Sequence, residues 1–132
     1  MTDGRAEPLF FDPTNLDEML SFAGNPEIAT RLVRRFIASA ARDIAELETA
    51  LAAGDLESMA FIAHRCKGAA LNVGAIALGD ACGRAITAAK AAQLDASAEA
   101  VAAARDCMRP TTAAIAAWAR DRMGADITET PA

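Results

Sequence analysis

From Glu27 to Ala53 the chain contains neither glycine nor proline, and through that stretch Ile28, Leu32, Phe36, Ala40, Ile44, Leu47 and Leu51 recur every three or four residues. An α-helix brings such spacing onto one side, so the pattern predicts a long amphipathic helix. One stripe should face a core while the other side, Arg31 through Glu48, is solvated. Asn25-Pro26-Glu27 marks its start. It supplies a capping side chain, a proline whose missing N–H costs nothing in the first turn, and an acid at the positive helix end. Gly54 ends it.

The rest of the chain reads in the same way. Thr14 and Asp17 resemble a capping pair for a short first helix in which Leu16, Met19, Leu20 and Ala23 share a face before Gly24. Asp55 should cap a third helix whose residues Met59, Ala63, Cys66, Ala70 and Val73 step by four, three, four and three, with Gly74 at its end. A fourth helix is expected over about Ala75–Gln93, with Ile76, Leu78, Cys82 and Ile86 apolar. Its Gly79, Ala81, Gly83 and Ala85 are small enough for close helix approach. Asp95 should cap the last helix, which carries Val101, Ala104, Met108, Thr111, Ile115 and Trp118 on one face. Pro110 inside it removes the bond to the Asp106 carbonyl and predicts a kink.

Short connections between long amphipathic helices favour antiparallel neighbours. The expected fold is therefore all-α, an up-and-down antiparallel four-helix bundle with a short extra N-terminal helix. Residues 1–13 read as a flexible lead whose Phe10 and Phe11 could pack back, 14–124 as the bundle, and 125–132 as a disordered tail. A chain of 132 residues suits one domain, able to bury roughly two-thirds of its unfolded surface. Its composition is 53% hydrophobic but 5% aromatic, so the core must be built from small aliphatics.

Composition also excludes partners. No apolar run is long enough to span a bilayer, and Met1–Pro8 lacks a signal-peptide layout, so a soluble, cytoplasmic chain is expected, and the set of helices suggests a self-sufficient monomer. A net charge of −5 with scattered basic residues opposes nucleic-acid binding. Cys66, Cys82 and Cys107 form an odd set without a CxxC motif, and reduced core thiols are expected.

The chain has a single histidine, His64, directly after the core residue Ala63. A step of about 100° swings it off the seam toward water. Its own side carries Ala60, Phe61, Lys67, Gly68 and Leu71, a mostly small or apolar stripe with one cation. Gly68 costs about 1 kcal/mol against alanine in a helix interior. In a chain this rich in alanine its missing side chain must serve access or packing.

The stretch His64-Arg65-Cys66-Lys67-Gly68-Ala69-Ala70-Leu71-Asn72-Val73-Gly74, continued by Ala75, Leu78 and Cys82, resembles the signature of the histidine-containing phosphotransfer (HPt) family. That signature has a lysine three, a glycine four and a further glycine ten positions after the histidine, with two small residues between the glycines. The likeness extends over about residues 14–120. It departs at Cys66, where a larger aliphatic is usual, and at Ala85-Ile86, where a Leu-Glu pair is common.

The resemblance implies a phosphorelay intermediate of two-component signal transduction. His64 would accept a phosphoryl group from a receiver-domain aspartyl phosphate and pass it to another receiver. Imidazole has a free lone pair near neutral pH, and a loose phosphoryl transition state needs little more than an in-line nucleophile and positioning. Lys67 would neutralise phosphoryl oxygens, and Ala60, Phe61, Gly68 and Leu71 would meet the partner. That partner would be a response-regulator receiver domain, a hybrid sensor histidine kinase, or both. No cofactor is expected on this chain, because magnesium belongs to the receiver.

Other readings fit less well. A sensor kinase dimerisation domain usually has an acid directly after its histidine, where Arg65 stands, and no glycine-rich ATP-binding motif is present. ATP-dependent kinase activity is therefore not expected. A haem or metal bundle would need a second ligand near His64, but Cys66 lies about 200° around the helix. The same geometry weakens a Cys–His nucleophile. A docking module that is never phosphorylated is the remaining alternative.

Overall fold

In the computed structural model the described residues, 9–128, form five helices and no strand. They are α1 (Thr14–Ala23), α2 (Pro26–Ala52), α3 (Leu56–Val73), α4 (Ile76–Lys90) and α5 (Leu94–Met123). Consecutive helices from α2 to α5 pack side by side and α5 closes back on α2. The pairing is antiparallel, because Thr30 of α2 meets Met123 of α5 while Glu48 meets Arg105. This is the expected bundle, and α1 lies against α2 and α3 as the short extra helix.

Local chemistry sets most helix ends. The Asn25 side chain accepts from the Glu27 N–H at 3.0 Å. Asp55 accepts from the N–H of Ser58 at 3.1 Å and from its hydroxyl at 2.7 Å. Both Ser58 bonds hold the Asp55 carboxyl below its ordinary range. Two caps differ from expectation. At α1, Asp12 takes the role given to Thr14 and Asp17: its carboxylate accepts from the Thr14 N–H at 3.0 Å and hydroxyl at 2.6 Å. Asp17 instead accepts from the Trp118 indole at 2.9 Å and pins α1 to α5. Asp95 lies within the first turn of α5 rather than at its cap, a place where a negative charge still favours the helix dipole. The fourth helix falls short of the expected end at Gln93 and stops at Lys90, because Ala92 takes a left-handed φ of 56°.

The α2 stripe needed correction at its ends. Ala29 and Val33 are buried, whereas Ile28 is 49% exposed and Leu32 and Leu51 are only partly covered. Four successive steps of four residues, from Ile28 to Ile44, rotate by roughly 160° in total and cannot stay on one side. The buried set Ala29, Val33, Phe36, Ala40, Ile44, Leu47 and Ala50 mixes steps of three and four and holds its direction. Asp43, expected in water, lies at the edge of this seam and is buried.

Met59, Ala63, Cys66, Ala70 and Val73 of α3 are all buried, as their spacing predicts. Against them pack Leu16, Phe36, Leu47, Leu78, Ile115 and Trp118 within a largely alanine interior. Phe11 packs edge-on to Trp118, ring centroids 6.2 Å apart. Helix α5 runs through Pro110 without interruption.

The tail departs from the frayed reading. Gly124 ends α5 in the left-handed region, after which Arg34 donates to the Asp126 carbonyl at 2.8 Å and Ile127 is buried in the core. Burial of Ile127 and the bonds of Asp126 with Arg34 and Thr128 hold this segment against the bundle. Residues 1–8 of the expected lead and 129–132 of the expected tail lie outside the described residues. No helix among the described residues is long and apolar enough to cross a membrane.

Candidate functional site

Because the inner face of α3 is fixed by its buried seam, the opposite face is fixed as well. Phe61, His64, Gly68 and Leu71, at steps of three, four and three, form an exposed stripe. Phe61 is 69% and Leu71 46% exposed, which places two large apolar side chains on the same face as the histidine. Ala60 and Lys67 flank the stripe and are half-buried. All six residues named from sequence are thus brought onto one side of the molecule.

Among the described residues no hydrogen bond or ion pair engages the His64 imidazole or the Lys67 ammonium. The Lys67 side chain leans across to α4, where a Cβ added at Gly83 would lie 3.7 Å from its Nζ. A Cβ at Gly79 would come within 3.0 Å of the Leu71 side chain. The small residues of α4 therefore leave room for the lysine and leucine that flank the histidine.

The two glycines of the motif have different causes. Gly74 has a φ of 89°, and a Cβ there would meet the Asp12 carbonyl oxygen at 2.0 Å. The Asp12 N–H donates to the Gly74 carbonyl at 2.8 Å, so the chain before α1 is laid directly on this turn. Gly74 is a structural requirement. At Gly68 a Cβ would meet nothing within 4 Å. No packing among the described residues accounts for it.

Sequence reasoning missed the supports of this face. The Arg65 guanidinium donates twice to buried Asp43, at 3.2 and 2.6 Å, and also to Glu46, which clamps α3 to α2 beside His64. These bonds raise the Arg65 pKa above its ordinary value. Asn15 of α1 reaches the carbonyls of Leu71 and Asn72 at 3.4 Å, near the C-terminal end of α3. Neither pairing leaves a local signal, since the partners lie far apart in sequence.

Cys66, Cys82 and Cys107 are free and buried. The adjoining Cys66 thiol and burial push the Cys82 thiol up, away from thiolate chemistry. Cys66 points into the core and His64 out of it, so the two do not form a nucleophile pair. No group of three or more His, Cys, Asp or Glu side chains among the described residues is placed to hold a metal ion.

Comparison with known proteins follows the same lines. No curated protein matches the sequence significantly. A solved structure from rice, described as a histidine-containing phosphotransfer protein, superposes with a TM-score of 0.71. The match covers 79% of this chain and 75% of that one at 20% identity, a likeness of fold. The family model for the Hpt domain matches residues 31–118, a span that takes in all of α3 and α4 and most of α2 and α5. The chain belongs to the Hpt domain family, the helical modules of histidine phosphotransfer in phosphorelays.

Proposed function

We propose that His64 is the phosphoacceptor, taking a phosphoryl group from a receiver-domain aspartyl phosphate and yielding it to the aspartate of another receiver. The observation that carries this reading is the exposed imidazole without a partner among the described residues, beside Lys67 and the open space at Gly68. As the Nε2 lone pair attacks in line, an N–P bond forms while the bond to the aspartyl oxygen breaks and the carboxylate leaves. The return step reverses this order. Little covalent assistance is needed, so alignment and charge neutralisation supply the rate. Lys67 meets the phosphoryl oxygens, while Phe61, Leu71 and Ala60 give the partner an apolar surface. Magnesium is contributed by the receiver's own acidic pocket. ATP is not a substrate, and the module works as a cytoplasmic monomer with receivers or a hybrid sensor kinase as partners, not with nucleic acid or membrane.

Incubation with a phosphorylated receiver tests the reading. Label should arrive on this chain in an acid-labile, alkali-stable form, and on no other residue type. Failure of any receiver of the source organism to transfer label would leave passive docking as the function. The access role of Gly68 is tested with Gly68→Gln, which should keep its helix content while losing receiver binding. A variant that still transfers at the full rate removes the steric role.

A further inference from the structure

A second exposed face is at odds with the chain's acidic balance. Arg31, Arg35 and Arg42 of α2 are all exposed, and they lie within about 40° of one another around the helix axis. None has a carboxylate within ion-pair distance among the described residues; Arg84, Arg109 and Arg120 also lack one, but only α2 gathers three such arginines on one face. Arg34, in the same turn, donates to a backbone carbonyl and has no carboxylate partner either. Like charges one turn apart destabilise a helix. Glu27 and Glu46, one turn beyond Arg31 and Arg42, bracket the stripe, yet no ion pair among the described residues offsets the repulsion between Arg31 and Arg35, in a protein whose net charge is −5.

The stripe also has an apolar end. Ile28, one turn before Arg31, is 49% exposed, and Phe22, just across the Gly24–Asn25 turn, is 96% exposed. We infer that this face of α2 docks an acidic amphipathic helix of a partner protein, its carboxylates spaced to match Arg31, Arg35 and Arg42 and an apolar residue seated by Ile28 and Phe22. The spacing carries the choice of a helix, because arginines about 6 and 10 Å apart along one axis match carboxylates at helical steps of four and seven. The surface lies on a different helix from His64, and the inference does not depend on that residue being phosphorylated.

The test uses the full chain and a short synthetic helix with glutamates at steps of four and seven and a leucine at one end. A scrambled isomer of equal charge serves as the control. Fluorescence anisotropy should show binding that weakens with salt and exceeds that of the isomer. The variant Arg31→Glu/Arg35→Glu/Arg42→Glu should lose at least roughly tenfold in affinity, with unchanged circular dichroism and unchanged phosphoryl transfer to His64. Phe22→Ser should lose several-fold. Equal binding of the isomer, or an unaffected triple variant, overturns the proposal. So does wild-type protein that ignores the peptide, whether or not it co-sediments with phosphatidylserine vesicles; co-sedimentation would assign the face to a membrane.

Discussion

The two faces of α3 follow opposite rules. On the inner face, Met59, Ala63, Cys66, Ala70 and Val73 are each at most 1% exposed. Packing against the rest of the bundle accounts for every one of them. On the outer face, Phe61 and Leu71 are exposed, Gly68 weakens the helix without relieving any contact, and His64 makes no bond to the described residues. The difference teaches that the candidate site stands out as a set of costs that packing among the described residues does not return, on one side of a well-packed element.

Substitutions on the two faces should separate stability from transfer. The largest expected contrast is His64→Gln, which should abolish phosphorylation in the label-transfer assay while leaving the thermal midpoint unchanged. A variant that still accepts label would break the comparison at its centre. On the inner face, Met59→Ala removes a fully buried side chain and should cost about 2–5 kcal/mol in urea unfolding. Transfer should persist below the new midpoint.

Smaller effects sharpen the contrast. The glycines should move in opposite directions. Gly74→Ala forces a Cβ against the Asp12 carbonyl at an unfavourable φ and should destabilise the fold. Gly68→Ala should stabilise it by about 1 kcal/mol, read as a rise in the urea midpoint. Loss of stability in Gly68→Ala would mean that packing, not access, holds that glycine. Last, Lys67→Ala should slow transfer by roughly fivefold, since a cation at this partly exposed position contributes about 1 kcal/mol after screening. A loss as complete as that of His64→Gln would give the lysine a larger role than charge neutralisation.

The sequence carried the two faces of α3 further than it carried the other seams and the ends of the helices. The placement of His64, Lys67 and Gly68 away from the buried seam of α3 was legible because a pattern alternating steps of three and four closely tracks the true helical turn. The α2 pattern, built on four successive steps of four, drifted off its own seam and misplaced Ile28. The capping role of Asp12 and the burial of Ile127 were missed, since each depends on where a distant element lies: Asp12 on Gly74, Ile127 on the bundle core.

By itself the sequence determined five helices, their antiparallel order and a histidine facing away from the core, because periodicity, capping residues and short turns are local physics. Tertiary structure alone decided that Gly68 is empty space while Gly74 is a crowded turn, that Asp43 is buried under Arg65, and that Lys67 rests over Gly83. The physical reason is the same in each case. A side chain's cost or benefit is set by the atoms that face it, and in a bundle those atoms come from another helix.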